Sequence, residues 1–198
     1  MSACRKPMLI VVVLAGGMIV LAGCVEPVSA PTSYGVYNCK AGTFRCEYPD
    51  GWEVKSASGR QPWAKFTRGP ATIHVGTSML ASMMAGPGLG VVPPELDESL
   101  TPVALRHDAE KEAFAEEWSD FQEQSPVTVK TQRLGDARKS EFTAAGTFGG
   151  KIHGYRVTIL GHDHRLRIVC TCPESDWTAL QPAFDRIIES FERGYVEQ

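Results

Sequence analysis

The sequence predicts an α+β domain, a single unit in which helices pack on an antiparallel sheet. Three observations carry this. Polar and apolar side chains alternate with period two over residues 43–77 and again over 127–172, the signature of half-buried strands. Each block is followed by apolar residues three and four apart, at 101–121 and 175–191, the signature of surface helices. The order strands, helix, strands, helix runs without a sequence repeat or a composition break across 37–194, which favours one α+β unit over two domains.

Taken in order, residues 43–48 put Phe44, Cys46 and Tyr48 on one face and Arg45 and Glu47 on the other. Pro49-Asp50-Gly51 is a turn, because proline presets φ and glycine tolerates positive φ. Residues 52–56 return as a strand, and 63–68 and 71–77 form a pair about Gly69-Pro70. Residues 79–84 are methionine-rich and fit a short helix, either a contact surface or a cover for the core. Thr101-Pro102 starts a helix with threonine as N-cap and proline in the first turn. Its stripe is Val103, His107, Glu110, Phe114, Trp118 and Phe121, and the helix is expected to end near Asp120. Residues 127–134, 137–148, 151–160 and 165–172 read as a four-stranded meander turning at glycines. Ser175 or Asp176 is placed to cap a last helix, whose stripe runs Trp177, Leu180, Phe184, Ile187, Ile188 and Phe191, with Pro182 inside it and Gly194 beyond.

The N-terminus is built differently. Arg5 and Lys6 precede an uncharged apolar run over residues 8–20, shorter than the roughly 20 residues of a spanning helix. Small residues then lead to Leu21-Ala22-Gly23-Cys24, which resembles the lipobox of bacterial lipoproteins. The resemblance implies a signal peptide over 1–23, cleavage before Cys24 and acylation of Cys24; the alternative is an uncleaved anchor helix. Each buried methylene contributes roughly 0.8 kcal/mol to membrane binding, so two or more chains anchor stably. Residues 24–36, rich in Pro, Ser and small side chains, are expected as a flexible tether. Removing Arg5 and Lys6 from 20 basic side chains leaves 18 against 23 acidic, a net charge of −5, with no basic run. Nucleic acid is not an expected partner.

Four cysteines remain beyond the anchor, Cys39, Cys46, Cys170 and Cys172, an even number for an oxidising compartment. A Cys170–Cys172 bridge would close a strained ring, and a tight turn at Ala41-Gly42 leaves Cys46 only diagonal to Cys39. The expectation is disulfides from the N-terminal segment to Cys170 and Cys172. A thiol redox pair or metal site at Cys170-x-Cys172 lacks the spacing of such motifs.

The opening Phe44-x-Cys46-x-Tyr48-Pro49-Asp50-Gly51-Trp52 resembles the start of PsbP-like domains. The close is similar too, in Ile168 and Trp177, in Leu180-x-Pro182-x-Phe184 and in Ile187-Ile188-x-Ser190-Phe191. The resemblance implies a PsbP-like domain over 37–194, an α/β/α sandwich, and non-enzymatic binding or assembly roles. No binding residue of that family maps onto this chain.

Two clusters carry possible chemistry. His107 and Glu110, one helical turn apart, form either an acid/base pair or ligand anchor, or a core histidine satisfied by its neighbours. His162-Asp163-His164 offers imidazoles and a carboxylate to a metal, yet adjacent turn residues seldom converge on one ion, and His153 is expected away from that tip. No nucleophile elbow, Walker loop, dinucleotide fingerprint or zinc-protease helix is present, and no cofactor is expected. The expected function is therefore a non-catalytic lipoprotein, extracytoplasmic and anchored to a bacterial membrane, binding an envelope protein or small ligand. The alternatives are a metal-dependent or other hydrolytic enzyme using His107/Glu110 or His162/His164, and a purely structural envelope component. Replacing Cys24 by Ser is expected to abolish acyl-chain labelling of the protein in growing cells; undiminished labelling would remove the anchor assignment.

Overall fold

The computed structural model describes residues 28–79, 98–146, 149–161 and 164–196. Strands β1 (Tyr34–Asn38) and β2 (Arg45–Pro49) form a two-stranded hairpin. The other eight form one antiparallel sheet: β3 (Glu53–Ala57), β4 (Trp63–Arg68), β5 (Ala71–Met79), β6 (Ser119–Glu123), β7 (Val127–Lys130), β8 (Asp136–Ala145), β9 (Lys151–Leu160) and β10 (His164–Pro173). The strand order is β3-β4-β5-β10-β9-β8-β6, and β7 pairs with the other end of β8. Pro126 separates β6 from β7, and a residue with no N–H suits such a break in an edge. The helices are α1 (Pro102–Ala109), α2 (Lys111–Ala115) and α3 (Trp177–Glu189).

Alternation sorts the sheet into two faces. One carries Ala64, Phe66, Ile73, Val75, Tyr155, Val157, Ile159, Leu166, Ile168 and Cys170, all buried under α3 and the β1–β2 hairpin. From α3 come Leu180, Phe184, Ile187 and Ile188, and the helix runs on through Pro182. The hairpin adds Phe44 and Cys46, with Phe44 against Phe191 and Tyr48 stacked on Phe66 at 5.2 Å between ring centroids. On the opposite face α1 and α2 cover β8 and β9, where Phe114, Phe142 and Ala144 form a smaller core edged by Trp118, Phe121 and Val169. Helices on both faces make this the α/β/α sandwich expected for one domain.

Four expectations change. From residue 28 the stretch expected as a tether is attached to the domain: Val28 is buried and its N–H reaches Asp176 Oδ2 (3.4 Å), and Tyr34 opens β1, a strand with too little alternation to read in advance. The helix expected to end near Asp120 breaks at Glu110 and stops at Ala115. Asp120, at φ +52°, lies in β6, so Phe121 reaches the small core from a strand. Neither Ser175 nor Asp176 caps α3 through its side chain, because Asp176 receives Val28 and Ser175 instead. Gly194 stops nothing, since α3 ends at Glu189; it lies against the backbone of Gly42 and Phe44, where a Cβ would come within 2.7 Å of Phe44 O. Met79 ends β5, whereas residues 80–84 of the methionine-rich stretch lie outside the described residues.

Gly154 shows how tightly the second face is closed. It sits between Phe142 on β8 and Thr171 on β10, and an added Cβ would meet Cys170 O at 2.2 Å and the Phe142 ring at 3.1 Å. Gly154→Ala is expected to destabilise the fold by more than about 2 kcal/mol in urea unfolding, through backbone displacement at a packed ring. Gly150→Ala, with nothing near its Cβ position, serves as the neutral control.

Candidate functional site

His107 reaches the sheet because Thr101 Oγ1 accepts the N–H of Ala104 and fixes the start of α1, turning Val103, Ala104 and His107 inward. The imidazole is fully buried, with Nδ1 3.0 Å from Thr158 Oγ1 and Nε2 3.0 Å from Ser140 Oγ. Ser140 in turn bonds Glu123 Oε1, which also receives Arg156 Nε at 2.7 Å. Arg156 Nη1 donates to the backbone carbonyl of His107 (2.7 Å), tying helix to strand. Proton counting fixes the tautomer. Ser140 has one hydroxyl proton and gives it to the carboxylate, so Nε2–H donates to Ser140 and Nδ1 accepts from Thr158. Burial pushes the His107 pKa down to about 3, with the Arg156 charge adding to it, so the ring is neutral. Burial alone would raise the Glu123 carboxyl, but its bonds from Arg156 and Ser140 hold it below the usual value.

This cluster has the residue types of a hydrolytic triad with the protons running the wrong way: the histidine donates to the serine instead of accepting from it. Glu110 is not part of it. The break in α1 at Glu110 (φ −96°, ψ −2°) takes its side chain off the His107 face, to Arg106 (2.8 Å) and Arg165. Of the two readings, an acid/base pair with Glu110 or a core histidine satisfied by its neighbours, the second has the geometry, but the partners are Ser140 on β8 and Thr158 on β9, neither readable from helical spacing.

The remaining candidates are scattered. His162 lies outside the described residues, and His164 pairs in register with Met79. His153 sits at the other end of the sheet, paired with Cys172, stacked on Trp177 at 3.9 Å and held by Glu141 (2.7 Å). Its Nδ1 lies 2.9 Å from Glu174 Oε2 without hydrogen-bonding alignment. Among the described residues no three His, Cys, Asp or Glu side chains are arranged to hold a metal ion. The disulfides expected from the N-terminal segment to Cys170 and Cys172 are not formed: Cys39, Cys46, Cys170 and Cys172 are free thiols, packed as small apolar side chains in the main core. Burial pushes Cys46 and Cys170 well up and Cys172 to about 12, which keeps them protonated; Cys170 and then Cys39 add to the rise at Cys46. Cys24 lies outside the described residues.

The feature missed in the sequence is a groove of about 450 Å³ on the face that carries α1 and α2. Those helices cover β8 and β9 but leave β4, β5 and the near side of β10 open among the described residues. Lys65, His74, Arg165 and Arg167 line it, with Phe114 and Trp118 as its apolar wall. Register brings these side chains together: Lys65 faces His74, and Arg167 faces Gly76, whose other neighbour is Trp63. Arg167 is answered by Glu117 (2.7 Å), whereas Lys65 has no ion pair among the described residues. The His74 pKa is lowered by burial, then by the charges of Lys65 and Arg167.

No family model and no curated protein matches the chain. Solved structures do. Cyanobacterial PsbP (CyanoP) from Synechocystis sp. PCC 6803 aligns over 87% of this chain and 98% of its own, with a TM-score of 0.53 at 14% identity. A protein from Bacteroides thetaiotaomicron VPI-5482 aligns over 81% of this chain and 48% of its own, with a TM-score of 0.50 at 12% identity. What this likeness establishes is the fold, which is PsbP-like.

The His107 cluster predicts an acid-sensitive fold. An unfolded chain protonates this histidine near pH 6.5, while the fold resists protonation down to about 3. The contribution is full above 6.5 and lost on acidification through that window, at about 1.4 kcal/mol per pH unit. His107→Gln, which keeps a donor and an acceptor but cannot titrate, is expected to flatten the slope of unfolding free energy between pH 6 and 5; an unchanged slope would show that His107 takes up its proton in the fold.

Proposed function

We propose that this chain is a lipid-anchored protein of the bacterial envelope whose PsbP-like domain is a binding module and not an enzyme. The groove over β4, β5 and β10 is its contact surface. The observation that carries the reading is this half-open sheet face, which combines aromatic wall, hydroxyls and cations in a volume typical of ligand sites, about 300–1,000 Å³. The Leu21-Ala22-Gly23-Cys24 sequence supports an extracytoplasmic anchor. The PsbP-like fold supports a binding role, since the resemblance implies non-enzymatic binding and assembly factors, although a fold alone hosts many functions. The one serine–histidine–carboxylate cluster described above is closed and proton-inverted, which favours binding over hydrolysis.

A photoreactive side chain at Gln61, an exposed residue of the groove, tests this in intact cells. Discrete crosslinked species are expected from Gln61 and not from Glu189, exposed on α3. Crosslinking confined to Glu189, or absent from both, would remove the groove as the contact surface.

A further inference from the structure

We propose that this groove holds an organic anion carried on an apolar tail, the anionic group seated over Gly76 between Lys65, His74 and Arg167 and the tail against Phe114 and Trp118. This rests on the groove being the binding surface.

The charge argument comes first. Neighbouring strands place Lys65 directly opposite His74, and Arg167 one row along on the other side of β5. Two cations, Lys65 and Arg167, thus lie diagonally across β5 on either side of a neutral His74, in a chain that is acidic overall. The carboxylates present answer only part of it: Glu117 pairs with Arg167 and Glu110 with Arg165, while Lys65 keeps no such partner among the described residues. The lowered His74 pKa is the same positive potential felt at a neighbouring group, secondary to burial. A bound anion supplies the missing countercharge.

The shape argument is independent. Gly76 is a strand glycine between Trp63 and Arg167, and an added Cβ would meet only His74 Cε1 at 3.8 Å and Arg167 O at 3.9 Å. Neither crowding nor a left-handed backbone requires glycine there. In a strand, glycine forgoes packing and marks places where something else approaches the backbone. Thr72 and Thr171, whose hydroxyls bond each other at 2.9 Å, and Ser78 offer further donors along the groove. Phe114 and Trp118, 6.0 Å apart between ring centroids, form the only aromatic wall beside it among its described lining residues. Polar and apolar halves thus lie side by side, matching an amphiphile and not a bare ion.

The anion's source is either a lipid headgroup or a diffusible phosphate or carboxylate ester, and one experiment separates them. The full chain in phosphatidylcholine nanodiscs is titrated with hexyl phosphate, followed by tryptophan fluorescence and phosphorus NMR line width. Saturable binding is expected, weakened roughly tenfold or more by Lys65→Glu and by Gly76→Val, and by raised ionic strength. Near-UV circular dichroism checks that both variants are folded. Nanodiscs containing phosphatidylglycerol are expected to compete with hexyl phosphate if the source is a headgroup, and to leave its affinity unchanged if the ligand diffuses; either result supports the site. Equal binding of hexyl glucoside overturns the anion, and equal binding of inorganic phosphate overturns the tail. Binding undiminished in both folded variants, or no saturable binding, overturns the site altogether. Crosslinking at Gln61 without hexyl phosphate binding would sink only the ligand class, whereas hexyl phosphate binding without crosslinking would sink only the cellular reading.

Discussion

An eight-stranded sheet has two faces to cover, and the helices described here are too short to cover both. The 13 residues of α3, helped by the β1–β2 hairpin, close one face from β4 to β8. The eight residues of α1 and five of α2 lie over β8 and β9 and reach no further than β10 among the described residues. That shortage dictates the composition of everything left over. Under α2 the sheet presents Phe142 and Ala144; on β4 and β5, which no helix covers among the described residues, the same face presents Lys65 and His74, with Arg165 and Arg167 at the border. The groove is the visible remainder of incomplete coverage.

What holds α1 in place is unusually polar. Beneath it lie a neutral imidazole, two hydroxyls and the Glu123–Arg156 pair, both members of which are almost fully buried. Burying such a pair costs several kcal/mol of solvation per ion, offset only when the other lone pairs and protons are satisfied. Here the Ser140 hydroxyl and the His107 carbonyl supply such partners. An apolar interface would let α1 slide along β8 and β9; directional bonds from a helix side chain to two different strands fix its position, and with it the aromatic wall on α2 and the turn after it. The groove's geometry is therefore set from underneath, by residues that do not line it.

Much of the fold was legible because it follows from local rules. Period-two alternation located β4, β5, β9 and β10 to within two residues, and the apolar stripe located α3. The second helix was overextended because Trp118 and Phe121 continue its spacing; the change to a strand at Asp120 depends on a pairing with β8 that the sequence does not display. His107 stood out as a polar residue in an apolar stripe, but its partners lie 33 and 51 residues away, beyond any local reading. The groove was invisible for the same reason. Lys65, His74 and Arg167 are ordinary polar positions of three strands until the order β4-β5-β10 sets them side by side. A glycine inside an alternating strand was the one available hint.

The hold of Asp176 on Val28 has a consequence for how such a molecule would stand on a membrane. Three residues separate Cys24 from Val28, so the four Cα–Cα steps give a leash of at most about 14 Å when fully extended. Val28 rests between the start of α3 and the β4–β5 turn at Gly69. A domain acylated at Cys24 would consequently stand upright on that corner with little freedom to tumble, its β4–β5 turn lowermost. The end of the groove marked by Thr72 and Thr171, next to that turn, would open toward the headgroups, and the His164 end would point away.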